Sequence, residues 1–305
     1  MKIAIILNRD AGTLRGGDAD AAGEEVAGIF RAAGHDVGLE VAAGKDAIAA
    51  IERAAKAKAN EAIVVGGGDG TVSAAAGIAA KSGTALGILP LGTMNFFARS
   101  LAIPAGTKPA AEALAQGEVR AVDIATVNGR SFVHTLALGL HPAMVAEREK
   151  LEYGSRYGKM LGSVRAFARV VRNQRRFAVT IKADGRVIER RVAGVVVSNN
   201  PLGEGHMPYA DRLDGGVLGL YLTAARSLFE IGRVTVAAAL GRAEASPLIE
   251  NSETVAVEIR FRRGRAVPTT VDGELVRLQT PLKVEIMAGG LKVLAPVARE
   301  APSSG

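Results

Sequence analysis

Three glycine turns in the first half of the chain, and two aspartate turns in the second, have the residue types and spacing for chemistry on a phosphate. The first is Gly66-Gly67-Gly68-Asp69-Gly70-Thr71, which follows the apolar run Ala62-Ile63-Val64-Val65 and precedes Ala-rich helical sequence. It reads as a buried strand, a tight turn and a helix with Thr71 near its N-cap. Glycines let backbone N–H groups approach a ligand closely, and a helix N-terminus favours an anion, so Gly67, Gly68, Gly70 and Thr71 are candidate phosphate contacts. Asp69 is the odd member, because a bare carboxylate repels a phosphate. It makes sense if Mg²⁺ lies between them, or if Asp69 handles a proton during transfer. The commoner motifs fail: the dinucleotide pattern needs Gly where Thr71 stands, and the P-loop needs a Lys that is absent.

The second turn is Asn8-Arg9-Asp10-Ala11-Gly12-Thr13, after the apolar residues Ile3 to Leu7. Strand meets loop meets helix there again, so this turn is another candidate phosphate or nucleotide edge. The third, Pro90-Leu91-Gly92-Thr93-Met94-Asn95, follows Ala85–Leu89 and puts Thr93 near another N-cap. Turns after adjacent strands of one parallel sheet face a common crevice at the strand C-termini, where ligands of open α/β sheets bind. In the second half, Pro208-Tyr209-Ala210-Asp211-Arg212-Leu213-Asp214-Gly215-Gly216 precedes a strand and by itself reads as a plain turn. Val271-Asp272-Gly273-Glu274 by itself reads as an exposed hairpin.

These residues need a scaffold. Strands at 2–7, 36–41, 62–65 and 85–89 alternate with helices near 19–33, 45–58 and after Thr71, which means βαβ units and a parallel sheet. A short helix at 108–116 ends this α/β domain, set at residues 1–121, to which a last strand near 291–297 can return. From Arg120 the texture changes. Ala121–Val127 and Phe132–Leu138 flank Asn128-Gly129, a strong hairpin signal, and Phe177–Ala183 and Val187–Val197 flank Asp184-Gly185. Further strand-like runs at 217–223, 254–261, 266–271, 282–288 and 292–294 make residues 122–298 an antiparallel β-sandwich, with a helical insertion near 155–175, a helix near 226–240 and a loose tail at 299–305.

Composition narrows the partners. The chain has 305 residues, 48% of them hydrophobic, enough for two cores. The absence of Cys excludes disulfides and thiolate metal sites, and His35, His134, His141 and His206 lack zinc-ligand spacing. The apolar N-terminus is too short for a signal peptide, and no apolar run reaches the ~18 residues of a membrane span, so a cytoplasmic protein is expected. A net charge of +7 suits an anionic membrane surface or a phosphorylated substrate. With 4% aromatics and no Trp, base stacking is poorly supplied, which argues against a nucleic-acid partner.

A Gly-Gly-Asp-Gly-Thr turn after a strand, followed some twenty residues later by Pro-Leu-Gly-Thr-Met-Asn, resembles the lipid kinase family of diacylglycerol kinase catalytic domains. That family includes the sphingosine kinases and is distantly related to the NAD kinases. The resemblance covers nearly the whole chain and implies transfer of the γ-phosphate of ATP to a lipid hydroxyl. ATP would contact Asn8, Gly12, Gly67, Gly68, Gly70, Thr71 and Thr93, with Mg²⁺ bridging the phosphates to Asp69. It further implies that Asp214, with the carbonyls of Asp211 and Gly216, holds a structural Mg²⁺. Glu274 would accept the hydroxyl proton of a lipid in the interdomain cleft, and Asp123 would belong to a Mg²⁺–water network. Departures from the family pattern are Arg9 in place of proline, Thr13 where a basic residue is common (Arg15 is a substitute), and Ser73-Ala74 in place of Asn-Glu. The alternatives are NAD kinase-like transfer to a soluble nucleotide and a catalytically silent lipid- or nucleotide-binding regulator. The basic stretch 148–176 and the cluster Arg260, Arg262, Arg263 and Arg265 read equally as docking surfaces for the inner membrane face and as ordinary solvated faces. Sandwich edge strands leave a homodimer open, and the lipid acted on is not spelled by the shared motifs.

Overall fold

In the computed structural model the described residues are 1–149, 176–204, 208–225, 229–230, 232–234, 246–261 and 266–297. The expected insertion near 155–175, almost all of the basic stretch 148–176, Arg262, Arg263 and Arg265, most of the helix near 226–240 and the tail 299–305 lie outside them. The chain divides into two compact units, Met1–Ile124 with Gly289–Gly305, and Ala125–Ala288.

The first unit carries the α/β pattern. Its strands β1 (Lys2–Asn8), β2 (Asp36–Ala42), β3 (Ala62–Gly67) and β4 (Ala85–Pro90) lie parallel in the order β2-β1-β3-β4. β3 and β4 are buried along their full length, as continuous apolar runs covered by helices on both faces should be. The helices are α1 (Ala19–Ala32), α2 (Gly44–Lys56), α3 (Asp69–Ser82), α4 (Phe96–Ser100) and α5 (Thr107–Ala115). α1 starts where Asp18 accepts the Ala21 N–H at 2.9 Å and buries Val26, Ala27 and Phe30. α3 stops at Gly83, whose left-handed φ of 75° glycine adopts at no steric cost. The chain goes from β1 to β2 on one side and then to β3 on the other, so strand order reverses between β1 and β3. Register aligns Leu7, Gly66 and Leu89 across three strands, which brings the turns after β1, β3 and β4 together at that switch point.

The second unit is antiparallel. A six-stranded sheet has the order β12-β11-β10-β7-β14-β15, formed by β7 (Thr135–Gly139), β10 (Gly194–Asn199), β11 (Leu218–Thr223), β12 (Ile249–Thr254), β14 (Val267–Val271) and β15 (Glu274–Leu278). Against it pack β8 (Phe177–Ala183), β9 (Arg186–Val192), β13 (Ala256–Phe261) and the first part of β16 (Leu282–Ala295). Leu136, Leu138, Val195, Val197 and Leu220 of one sheet meet Val179, Ile181, Ile259, Leu282 and Val284 of the other in a single core. β5 (Glu118–Val127) and β6 (Arg130–Phe132) form the expected hairpin, with Asn128 and Gly129 at φ 48° and 81°.

Two expected strands are each split in two. Phe132–Leu138 ends as β6 at Phe132 and restarts as β7 at Thr135, because the N–H groups of Val133, His134 and Thr135 all turn to the carboxylate of Asp272. Val187–Val197 breaks at Ala193, where the chain leaves β9 for β10 in the other sheet. The Ala193 carbonyl accepts the Leu140 N–H at 3.1 Å, at the start of α6 (Leu140–Glu149). Gly139, at φ 80°, makes that reversal, and a Cβ on it would strike the Ala193 carbonyl and stand 2.5 Å from the Phe177 ring. The runs 282–288 and 292–294 are one strand, which passes through Gly289 at φ 62° and pairs Val293 with Leu86 of β4. Among the described residues no helix is long and apolar enough to cross a membrane.

Candidate active site

In the first unit the three turns interlock. Asn8 donates from Nδ2 to Thr71 Oγ1 at 3.1 Å, and its Oδ1 accepts the Asp10 N–H at 3.0 Å. Thr13 donates its N–H and its hydroxyl to the Leu91 carbonyl at 3.3 and 3.4 Å, which pins the loop bearing Gly12 to the turn after β4. The glycines are required by contact. A Cβ on Gly67 would lie 2.5 Å from Thr71 Cβ, and one on Gly92 would lie 2.8 Å from both Gly68 Cα and Asn95 Oδ1. Asn95 closes a ring with Gly92, accepting its N–H at 2.9 Å and donating to its carbonyl at 2.8 Å.

Helix α3 begins at Asp69 with Gly68 as N-cap, so Thr71 stands inside the first turn and not at the cap. Gly68 has no side chain to satisfy the leading N–H groups, and the first backbone bond of this terminus runs from Val72 N–H to the Gly68 carbonyl at 3.0 Å. That arrangement offers N–H donors to an anion. Thr93 is likewise not a cap. It is exposed, and Asn95 precedes α4 in the left-handed conformation at φ 52°, which Asn tolerates better than Thr. Asn8, Gly12, Gly67, Gly68, Gly70, Thr71 and Thr93 thus all belong to this one cluster of turns.

Asp69 is committed within the cluster. Its Oδ2 accepts the Asn95 N–H at 3.0 Å and its Oδ1 the Phe96 N–H at 2.9 Å. Sequence reasoning missed this bond pair, whose only signal was the spacing of the two turns. A triphosphate suits the uncapped helix terminus and the glycine surfaces. Each Asp69 oxygen has one N–H partner here and keeps a lone pair that a hard cation such as Mg²⁺ could share. Among cations of the same loops, Arg9 reaches Asp20 at 3.6 Å, whereas Arg15 donates to the Asp10 carbonyl at 3.0 Å. Asp123 is buried, and its Oδ1 accepts the Gly289 N–H at 2.9 Å, which anchors the returning strand.

In the second unit the Val-Asp-Gly-Glu turn separates its two acids. Glu274 is exposed, with Oε2 2.9 Å from Arg130 Nη2. Asp272 is buried and accepts the N–H groups of Val133, His134 and Thr135 at 3.0, 2.8 and 3.0 Å. Sequence reasoning passed over Asp272, although Asp-Gly at the tip of a type I′ hairpin marks it as the residue able to turn inward. Beside it, His141 shares a hydrogen bond with buried Thr270 through Nδ1 at 2.8 Å. Burial, reinforced by the neighbouring His141, lowers the His134 pKa to about 3. His141 shifts the same way, also from desolvation.

The Asp211–Gly216 turn has a looser acid set. Asp214 is exposed and 3.2 Å from Arg212 Nη2. The Asp211 carboxylate lies where a Cβ on Gly203 would sit, and Gly216 has φ 67°. Buried Asn200 packs beside Gly215, with Nδ2 3.5 Å from where a Cβ on that glycine would be. Among the described residues no three His, Cys, Asp or Glu side chains converge as a metal cluster, so a cation here would depend on Asp214 and backbone carbonyls.

Comparison with known proteins agrees with this geometry. The diacylglycerol kinase catalytic domain family matches residues 2–127. An uncharacterised Synechocystis protein is 26% identical over 246 residues, 77% of this chain and 55% of that protein. A diacylglycerol kinase of Staphylococcus aureus is 27% identical over 216 residues, 70% of this chain and 67% of that enzyme. The chain therefore spans little more than half the length of the Synechocystis relative. The crystal structure of a diacylglycerol kinase from Bacillus anthracis has the same fold, with a TM-score of 0.71 and 22% identity over 96% of each chain. A second structure from that organism reaches a TM-score of 0.75 at 24% identity. Residues 2–127, which carry the glycine turns at the switch point, thus match the diacylglycerol kinase catalytic domain family, and the chain has the fold of the Bacillus anthracis structures.

Proposed function

We propose that the protein is an ATP- and Mg²⁺-dependent lipid kinase that phosphorylates a lipid hydroxyl at the inner membrane face, where it docks peripherally. The observation that carries this reading is the interlocked set of turns at the uncapped N-terminus of α3, within the segment that matches the kinase family. The triphosphate lies on the N–H groups at Gly68, Gly70 and Thr71, with Asn8, Gly12 and Thr93 around it, and Arg15 supplies positive charge in the loop where Thr13 cannot. Asp69 would hold Mg²⁺ through its remaining lone pairs. Bound there, the ion would supply charge neutralisation for the group being transferred.

Glu274 takes the hydroxyl proton. A carboxylate is too weak a base to deprotonate an alcohol outright, so the proton leaves late, as the new O–P bond forms. Most of the acceleration then comes from alignment and charge neutralisation. Asp214, with the carbonyls of Asp211 and Gly216, would hold a structural cation. The net charge of +7 favours an anionic bilayer surface.

The test is transfer of label from γ-labelled ATP to a total lipid extract, resolved by chromatography. A labelled lipid that requires Mg²⁺ and disappears with Asp69→Ala is expected. Absence of labelled lipid across diacylglycerol, sphingoid, ceramide and phosphatidylglycerol acceptors, with label passing instead to NAD, would overturn the lipid assignment.

A further inference from the structure

We infer that Asp69 is a positioning residue for the nucleotide in its own right: its carboxylate clasps the turn after β4 and so completes the phosphate cradle before any metal arrives. This rests on the nucleotide-binding reading above.

Three observations carry it. Both carboxylate oxygens are used, by the N–H groups of Asn95 and Phe96 at 3.0 and 2.9 Å, in a forked pair of charge-assisted bonds. Those donors are the N–H groups of the N-cap Asn95 and of the first residue of the five-residue helix α4, whose N-cap side chain makes no capping bond, so the Asp69 carboxylate caps the start of that segment. Asn95 is also the residue whose side chain rings Gly92, and Gly92 is the residue that touches Gly68. Asp69 therefore controls Asn95, Asn95 controls Gly92, and Gly92 abuts the N-cap of α3. Two backbone N–H dipoles also point at the carboxylate, which lowers the repulsion that a phosphate meets at the first turn of α3.

A carboxylate acting only through Mg²⁺ and a carboxylate acting as a clasp differ when Mg²⁺ is withheld. Affinity for ADP in EDTA, read by displacement of a fluorescent ATP analogue, is the primary measurement. With the clasp, Asp69→Asn keeps one acceptor but turns an amide donor toward an N–H, and metal-free ADP affinity falls about tenfold or more, the scale of losing one charge-assisted bond. Hydrogen exchange in the free protein then quickens at residues 92–96 and stays unchanged in β1 and α1. Unchanged or tighter metal-free binding, with exchange at 92–96 as in the wild type, overturns the inference. Should Asp69→Asn fail to fold, Asn95→Gly serves. It keeps the left-handed backbone and the N–H bonded to Asp69, removes only the ring to Gly92, and is expected to lose metal-free affinity in the same direction. If it keeps full affinity, the relay from Asp69 to Gly92 is wrong. A wild-type protein that binds no nucleotide would defeat the proposed function, while the exchange measurement still decides whether the clasp exists.

Discussion

Arg130 Nη2 stands 2.9 Å from Glu274 Oε2, and the two side chains are 43% and 52% exposed. An ion pair this open contributes roughly 0–1 kcal/mol to stability, so its presence argues for no structural dependence on Glu274. Glu274→Gln should therefore leave the thermal midpoint nearly unchanged. If Glu274 accepts the hydroxyl proton, turnover should fall by about 10²–10⁴, the usual worth of a general base. Transfer of label to lipid under saturating ATP reads this, and an unimpaired rate would remove Glu274 from the mechanism.

Asp272 should behave in the opposite way. Asp272→Ala would leave three buried or half-buried N–H groups without their acceptor, at about 1–3 kcal/mol each, so a loss of several kcal/mol is expected. Urea denaturation followed by circular dichroism measures it. A midpoint within error of the wild type would show that β7 can start without its clamp.

Stability should also fall in acid through His134. Its folded pKa of about 3 lies below the ordinary histidine value, so the unfolded chain takes up a proton that the folded one refuses. The contribution is fully present above about pH 6.5 and is lost as pH falls toward 3, at about 1.4 kcal/mol per pH unit. His134→Asn should flatten the slope of unfolding free energy against pH between about 4 and 6. An equal slope in the variant would assign the effect to other groups.

Gly92→Ala tests the contact between the first-unit turns. The new methyl would sit 2.8 Å from Gly68 Cα, backbone that cannot rotate away. KM for ATP is expected to rise at least about tenfold, with KM for the lipid much less affected. Equal changes in both would mean the turn serves more than the nucleotide.

A cation at Asp214 predicts ligand-linked stabilisation. Millimolar Mg²⁺ should raise the thermal midpoint of the wild type and not that of Asp214→Ala, since only a folded-state site shifts the equilibrium. Arg212→Ala should enlarge the shift, because the guanidinium 3.2 Å from Asp214 competes with the ion. Identical responses in all three proteins would leave the turn without a metal.

How much of this was legible follows from which forces are local. The parallel sheet was visible because runs such as Ala62–Val65 and Ala85–Leu89 alternate with helical periods, and neighbouring residues decide that pattern. The hairpins at Asn128-Gly129 and Asp184-Gly185 were visible because their positive φ angles select those residue pairs. The breaks at Val133-His134 and at Ala193 were not visible. In each case the chain keeps its strand-like composition while a partner far along the sequence, Asp272 or the β7–α6 reversal, redirects it. The site divides in the same way. Every glycine of the cradle could be named from its turn, whereas the bond from Asp69 to a backbone 26 residues later, and the inward turn of Asp272 beside an outward Glu274, are products of tertiary register.

The pairing of Val293 with Leu86 has a consequence for biosynthesis. The nucleotide-binding unit is interrupted in sequence, and its last piece leaves the ribosome only after the whole antiparallel unit has been made. Until Gly289 and the residues after it emerge, the fully buried strand Ala85–Pro90 has a neighbour on one side only, an open apolar edge of the kind that recruits other nascent chains. A polypeptide released early would thus carry the phosphate-binding motifs beside an unpaired apolar strand edge.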